Sequence, residues 1–277
     1  MKHIDILYDR IDQLRNLDDR DKKIISQIKN IKNNNYDKNV LPNNNYLKEK
    51  IKVLNKKKIN VCILLLTCEK YADRFENIKK KLLNNLNYQY FSIHANENID
   101  STYLSGNVLT VKCDECYENL PKKMLLAYDF LYKNSEFDYF IKIDDDTLIN
   151  QHILEKFIEN KFYTLDYLGG IAGGHVDKKW HFGKCKNAEL NTKEYWNGYN
   201  GDWCGGGFGY ILSRSAISLL LKENNYEYIY NEIYEDKAIG DVLRKENIFP
   251  QFELLPGLEV SKKVGMEGNN FIFFCSH

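Results

Sequence analysis

The sequence predicts an α/β fold in which helices pack against a sheet with parallel strand pairings. Residues 59–70, INVCILLLTCEK, form a continuous apolar run of strand length, which is typical of a strand buried on both faces. Helical and strand-like patterns then alternate along the chain, as they do in β-α-β units. Polar residues directly follow two of the predicted strands, and such sheets bind ligands beyond the carboxyl ends of their strands.

The elements of this sheet can be predicted in chain order. Apolar residues at helical spacing predict a helix over 72–86. A strand over 90–94, a helix over 120–132 and a strand over 137–143 are predicted next. The apolar residues 210–212 precede a further helix, for which Ser213 or Ser215 is the expected N-cap.

The first 58 residues have a different character. Apolar residues at positions 4, 7, 11 and 14 follow helical spacing, and asparagine-rich stretches near positions 33 and 43 indicate a linker. We therefore predict a short helical, low-complexity N-terminal extension and linker over 1–58 and a main domain over 59–277. The extension is a candidate for weak self-association.

Composition excludes several classes of function. The 277 residues contain 39 basic and 39 acidic side chains, so no global charge favours a nucleic-acid partner. No run of 18 apolar residues predicts a transmembrane helix, and the first residues lack the apolar core of a signal peptide. We therefore expect a cytoplasmic protein. Cys113 and Cys116 have the C-x-x-C spacing, but no second pair completes a zinc site.

Three consecutive carboxylates end one predicted strand. The stretch FDYFIKIDDDTLIN, residues 137–150, runs from alternating apolar residues into Asp144, Asp145 and Asp146. Neighbouring carboxylates raise one another's pKa unless something neutralises them. A solvated turn is the simpler interpretation. The alternative is a Mg²⁺ or Mn²⁺ site, because these ions commonly take one or two carboxylates together with phosphate oxygens and water.

Three later segments also carry candidate residues. The glycines of GDWCGGGFGYILSRSAISLL, residues 201–220, allow the backbone to approach a ligand closely, but no P-loop lysine follows them. The pair Glu235 and Asp236 precedes a helical pattern, where it either favours the helix dipole or supplies a general base. The strand-like FIFFCSH places His277 after an apolar run, where it is a candidate ligand.

Four motifs in a fixed order resemble the family-31 glycosyltransferases, the Fringe-like and β-1,3-galactosyltransferase group. The motifs are DECYENLPKKMLLAYDFL, FDYFIKIDDDTLIN, CGGGFGYILSRSA and YEDKAIG, and the resemblance spans 59–277. It implies a GT-A type nucleotide-sugar transferase fold with a mixed central sheet. It also implies an inverting enzyme that uses Mn²⁺ or Mg²⁺ and moves a hexose or N-acetylhexosamine from a UDP-sugar to a glycan or glycoprotein acceptor, with a β-1,3-type linkage expected.

The resemblance also implies roles for individual residues. Asp146 would be the direct metal ligand, with Asp144 and His277 completing the metal site. Asp236 would be the general base, and Glu235 is the second choice. The expected contacts to the nucleotide-sugar come from Thr67, Arg74, Asp144, Asp145, Gly206 and Gly207. The tryptophans Trp180, Trp196 and Trp203 either stack on sugar rings or pack in the core.

Two alternatives stay open at this point. IDDDTL faintly resembles the D-x-D-G-T-[LV] motif of haloacid-dehalogenase-type phosphatases, but its glycine is missing and it lies far into the domain. A non-catalytic carbohydrate-binding protein on the same fold would keep the glycines and aromatic residues without needing Asp146 or Asp236. Two positions depart from the family pattern, with Pro121 in place of the frequent Thr and Lys237 in place of an apolar residue. The sequence does not decide whether Cys185 and Cys204 pair.

Overall fold

The computed structural model describes residues 59–81, 88–149, 154–155, 166–172, 177–195, 201–251 and 273–275. The strands are β1 (Val61–Leu66), β2 (Gln89–Ala95), β3 (Tyr103–Ser105), β4 (Val108–Val111), β5 (Tyr139–Asp144), β6 (Thr147–Ile149), β7 (Tyr167–Gly169), β8 (Ile171–Ala172), β9 (Trp203–Cys204), β10 (Tyr210–Ser213) and β11 (Phe273–Cys275). The helices are α1 (Ala72–Lys81), α2 (Leu120–Asn134), α3 (Arg214–Leu220), α4 (Glu223–Tyr230) and α5 (Glu235–Lys245).

Seven of these strands form one mixed sheet in the order β3-β4-β2-β1-β5-β10-β7. β1 pairs in parallel with both β2 and β5, and β2 pairs in parallel with β4. β10 is antiparallel to β5 and β7, and β3 is antiparallel to β4. The predicted α/β class with a mixed central sheet is therefore confirmed. Two short antiparallel pairs, β6 with β11 and β8 with β9, lie outside this sheet.

The central strands bury apolar side chains on both faces, because successive residues of a strand point to opposite sides. Phe140 of β5 joins a cluster that contains Leu64 and buried residues of the helices α2, α3 and α5. Its neighbour Ile141 joins a second cluster, in which Ile63 lies and against which Phe75 of α1 packs. Helices therefore cover both faces of the sheet, which explains why β1 and β5 read as nearly unbroken apolar runs.

Most of the elements predicted in this part of the chain are present. β1, β2 and β5 correspond to the predicted strands, and α1, α2 and α3 correspond to the predicted helices. Ser213, and not Ser215, is the N-cap of α3, since its side chain accepts a hydrogen bond of 3.0 Å from the backbone N–H of Ala216. The predicted extension over 1–58 and the end of the helix predicted over 72–86 lie outside the described residues.

Two further expectations concern disulfide pairing and transmembrane helices. Cys185 and Cys204, whose pairing the sequence leaves undecided, are both free thiols, and so are Cys113 and Cys116. No described helix is long and apolar enough to cross a membrane.

Candidate active site

The three consecutive aspartates lie at the carboxyl end of the central strand β5. Asp144 is the last residue of β5 and is in register with Leu66, the last residue of β1. Thr67 follows β1, and its hydroxyl donates a hydrogen bond of 3.1 Å to Oδ2 of Asp145. The parallel pairing of two strands therefore brings Thr67 to the aspartates. Thr67 is itself buried, and its hydroxyl contacts Asp145.

Asp145 is the most buried of the three aspartates, with 6% of its surface exposed. Burial raises the pKa of Asp145 to about 6, and the charges of Asp144 and Asp146 act in the same direction. The hydrogen bond from Thr67 and the charge of Arg74 oppose this shift only in part. The crowding of like charges that the sequence predicts at this strand end is thus present.

Lys142 is the counterion of Asp144, and the sequence analysis did not identify it. It lies two residues before Asp144 on β5 and therefore on the same face of the strand. With 1% of its surface exposed, its Nζ donates hydrogen bonds to Oδ1 of Asp144 at 2.6 Å and to the carbonyl oxygen of Gly206 at 3.1 Å. Oε2 of Glu235 lies 3.5 Å away. Burial acts to lower the pKa of Lys142, but the charges of Asp144 and Glu235 raise it above its ordinary value.

The glycine-rich loop before β10 forms another wall of the site. The backbone N–H of Gly206 donates a hydrogen bond of 2.8 Å to Oδ2 of Asp236. A Cβ atom on Gly206 would lie 3.0 Å from Nζ of Lys142, so a side chain at this position requires the ammonium group to shift. Beside Gly207, the only described heavy atom that a Cβ would meet within 4 Å is Oδ2 of Asp144, at 4.0 Å. Among the described residues, a side chain at position 207 would therefore face that carboxylate.

Helix α5 begins with the predicted acidic pair, and the two side chains lie in different surroundings. Oδ1 of Asp236 accepts a hydrogen bond of 2.8 Å from the backbone N–H of Lys237, in addition to the bond from Gly206. Glu235 is buried and accepts a hydrogen bond from the hydroxyl of Tyr210. Burial raises the pKa of Glu235 to about 7. Asp236 thus lies against the glycine loop, whereas Glu235 belongs to a buried polar network.

Arg74, in the first half of α1, lies beside the aspartates. Its guanidinium donates a hydrogen bond of 3.2 Å to Oδ2 of Asp146 and lies 3.8 Å from Oδ1 of Asp145. It also stacks on the ring of Tyr71, 4.3 Å from the ring centroid. The side chain is 48% exposed, so a cation is available at the open side of the aspartate turn.

A second buried lysine supports the ends of β1 and β2. Nζ of Lys123 donates hydrogen bonds of 2.7 Å to the carbonyl oxygen of Thr67 and to Oε1 of Glu115. The other oxygen of Glu115 accepts a hydrogen bond of 2.8 Å from the backbone N–H of Ala95, the last residue of β2. Lys123 was not predicted as a site residue, although it lies within the DECYENLPKK motif.

Not every predicted site residue is described by the structure. His277 lies outside the described residues, so its metal-binding role stays a prediction. The register of β11 nevertheless pairs Cys275 with Thr147, which directly follows Asp146. Trp196 is also outside the described residues. Trp203 is buried, and Trp180 is exposed.

The aspartate turn offers few protein ligands for a metal ion. Among the described residues, no group of three or more His, Cys, Asp and Glu side chains is arranged to hold one. Two carboxylates, Asp144 and Asp146, do lie at one strand end, and Oδ2 of Asp144 is also the described atom nearest to Gly207. This set fits a hard divalent cation that takes few protein ligands and completes its coordination with phosphate oxygens and water.

Comparison with protein families shows which family the chain belongs to. A family model described as galactosyltransferase matches residues 96–251, and the chain belongs to this family, the β-1,3-galactosyltransferase-like group that its four motifs resemble. The protein is therefore a glycosyltransferase, which excludes the phosphatase alternative. No curated protein matches the chain.

Several solved structures are similar at low sequence identity. A glycosyltransferase involved in the glycosylation of the major capsid of PBCV-1 is 11% identical, with 70% of this chain and 82% of that chain covered and a TM-score of 0.39. A protein described as a nucleotide-diphospho-sugar transferase, from Desulfovibrio desulfuricans G20, is 10% identical, with 70% and 80% covered and a TM-score of 0.39. A197 from STIV is 14% identical, with 65% and 78% covered and a TM-score of 0.35.

Proposed function

We propose that this glycosyltransferase is an inverting, metal-dependent enzyme. It moves a hexose or N-acetylhexosamine from a UDP-sugar to a hydroxyl group of a glycan or glycoprotein, and the expected linkage is of the β-1,3 type. One observation carries the proposal. Gly206 accepts a hydrogen bond from Lys142, the counterion of Asp144, and donates one to Asp236. A single loop residue thus joins the aspartate turn to the candidate base.

Asp144 and Asp146 are the residues that would hold Mn²⁺ or Mg²⁺, together with the predicted ligand His277. When bound, the cation would stabilise the negative charge that develops on the departing diphosphate. The position of Gly207 supports this assignment, because Oδ2 of Asp144 is the described atom nearest to it and the glycine keeps the loop backbone close to that carboxylate.

Arg74 is the residue best suited to contact the diphosphate. Its guanidinium is half-exposed and lies at the aspartate turn, and arginine binds phosphate oxygens through paired hydrogen bonds. Asp145 and Thr67 are both buried and hydrogen-bonded to each other, so they support the aspartate turn from the protein interior. We therefore assign them to the orientation of the turn, while Gly206 and Gly207 let the backbone pass close to the donor sugar.

Asp236 is the proposed general base. Inversion needs a base that takes the proton of the acceptor hydroxyl as this hydroxyl attacks the sugar. Two backbone N–H groups fix the carboxylate of Asp236, one on each oxygen. A carboxylate offers about four lone-pair positions, so both oxygens can still accept a hydroxyl proton. Glu235 is less suitable, because its oxygens face Tyr210 and Lys142 in the interior.

The activity can be tested by UDP release from UDP-Glc, UDP-Gal, UDP-GlcNAc and UDP-GalNAc in the presence of a glycan array. We expect release with at least one donor, its loss on addition of EDTA, and its recovery with Mn²⁺. Proton NMR of the product should show a β linkage formed from the α-linked donor. Retention of the α configuration, or full activity in EDTA, would contradict the proposal.

A further inference from the structure

The segment 177–195 is hydrogen-bonded to two parts of the fold, the turn before α2 and the residues that lead into α5. On one side it meets the turn Tyr117–Asn119 that precedes α2. The carboxylate of Glu118 accepts hydrogen bonds from the backbone N–H groups of Lys186 at 3.1 Å and Asn187 at 2.8 Å. Lys186 also forms an ion pair of 2.7 Å with Asp114. These contacts fix the second half of the segment beside the start of α2.

On the other side, the segment meets the residues that lead into α5. His181 is fully buried, and its Nδ1 lies 2.7 Å from the hydroxyl of Tyr234. The hydroxyl of Tyr195 donates a hydrogen bond of 3.2 Å to the carbonyl oxygen of Asn231. Tyr234 is the residue directly before Glu235 and Asp236. The segment is therefore anchored one residue from the first turn of the helix that carries the candidate base.

Trp180 lies on this segment with 60% of its surface exposed. Nζ of Lys184 is 3.8 Å from the centroid of its ring, a cation–π contact that favours this orientation of the indole. The same Nζ lies 5.5 Å from the ring of Tyr117. The exposed indole of Trp180 is thus connected through Lys184 to the ring of Tyr117.

Tyr117 is the partly buried end of this row. At the exposed end, Trp180 directly precedes His181, which is bonded to Tyr234. The row Trp180, Lys184 and Tyr117 therefore lies next to the residues that lead into α5 and its candidate base. The other exposed side chains next to Trp180 include Asp177, Lys178 and Lys179, so the indole is an apolar surface in charged surroundings.

We propose that Trp180 and Lys184 form a subsite for a pyranose ring of the acceptor glycan. This inference rests on the proposed function. A pyranose has one apolar C–H face and a rim of hydroxyl groups, so it matches an exposed aromatic ring that is flanked by polar side chains. A glycan bound along the row from Trp180 to Tyr117 would direct a hydroxyl toward Asp236. Lys184 orients the indole and is a positioning residue.

The test compares Trp180→Ala, Trp180→Phe and Lys184→Met with Tyr103→Ala. Tyr103 is a suitable control because it is 47% exposed on β3, the edge strand at the far end of the sheet from β10. Labelled UDP-sugar is offered with a glycan array, and KM and kcat are measured for the glycan that the wild type modifies fastest. Calorimetry with UDP and Mn²⁺ and thermal melting are recorded for every variant.

Trp180→Ala is expected to raise the acceptor KM about tenfold, with UDP affinity and melting temperature unchanged. Trp180→Phe keeps an aromatic face, so its acceptor KM should be close to that of the wild type. Lys184→Met should raise the acceptor KM by a smaller factor than Trp180→Ala does. Tyr103→Ala should have the wild-type acceptor KM.

An unchanged acceptor KM in Trp180→Ala, or an equal loss of UDP affinity, would overturn the inference. Transfer to polypeptides with no glycan modified would also overturn it while leaving the donor site intact. Failure of the wild type to bind UDP at all would instead remove the proposed function, and the subsite with it.

Discussion

The ammonium group of Lys142 lies 2.6 Å from the carboxylate of Asp144, two residues further along the same strand. Strand β5 thus carries one of the candidate metal ligands together with its counterion. The same ammonium contacts the carbonyl oxygen of Gly206, which fixes the glycine loop against the strand. The electrostatics of the site and the position of the loop consequently depend on one buried side chain.

Replacing Lys142 should destabilise the fold strongly. Lys142→Met leaves the buried Glu235 and the carboxylate of Asp144 without their cation, and breaking a buried ion pair in this way costs about 3–5 kcal/mol. Urea denaturation measures the change. Lys133→Met is the matched control, since the ion pair of Lys133 with Asp129 is exposed and should contribute less than about 1 kcal/mol. Equal losses in the two variants would show that Lys142 is not a buried counterion.

Asp236→Asn should separate binding from transfer. The amide cannot take a proton from the acceptor, so we expect Mn²⁺-dependent UDP binding to remain while kcat falls at least about a hundredfold. Single-turnover transfer assays measure the effect. Transfer at the wild-type rate would remove Asp236 from the role of base.

The two glycines of the loop should respond in different ways to a side chain. Gly206→Ala places a methyl group 3.0 Å from Nζ of Lys142, and we expect a loss of stability of about 1–3 kcal/mol. Gly207→Val directs its side chain toward Oδ2 of Asp144, the described atom nearest to it, so UDP affinity should fall by a larger factor than in Gly206→Ala. Chemical denaturation and calorimetry on both variants distinguish these effects. Unchanged UDP affinity in Gly207→Val would place the donor elsewhere.

The buried carboxyl group of Glu235 should make stability decrease with rising pH. Its pKa is about 7 in the folded protein, above the ordinary value of 4.5, so the folded state binds this proton more tightly than the unfolded chain does. The resulting stabilisation is complete below pH 4.5, declines between pH 4.5 and about 7, and is absent above that range.

Glu235→Gln should remove the contribution of Glu235 to this decline, while that of Asp145, whose pKa is raised to about 6, remains. The free energy of unfolding, measured by urea denaturation at intervals across this pH range, should fall less steeply in the variant than in the wild type. Glu97→Gln, at an exposed carboxyl group, is the control and should keep the wild-type slope. The same slope in Glu235→Gln would rule out Glu235 as the titrating group.

Sequence patterns predicted the central strands because burial on both faces produces long apolar runs, as in β1 and β5. They did not predict the hairpin of β3 and β4 or the two-residue strands β8 and β9, which are too short to show a period. The motifs identified the aspartate turn and the acidic pair of α5. Lys142 and Lys123 were missed because their importance depends on contacts with residues far away in the chain, although a lysine within an apolar strand such as β5 is itself a signal.

The most direct test of the donor site is calorimetric titration of UDP with and without Mn²⁺. The wild type should bind UDP tightly only with Mn²⁺, and Asp146→Ala should lose this binding while Asp100→Ala, at an exposed carboxylate away from the turn, should keep it. Two results would contradict the assignment of the metal and diphosphate site to the aspartate turn. One is Mn²⁺-dependent UDP binding of undiminished affinity in Asp146→Ala, and the other is no UDP binding by the wild type with any divalent cation.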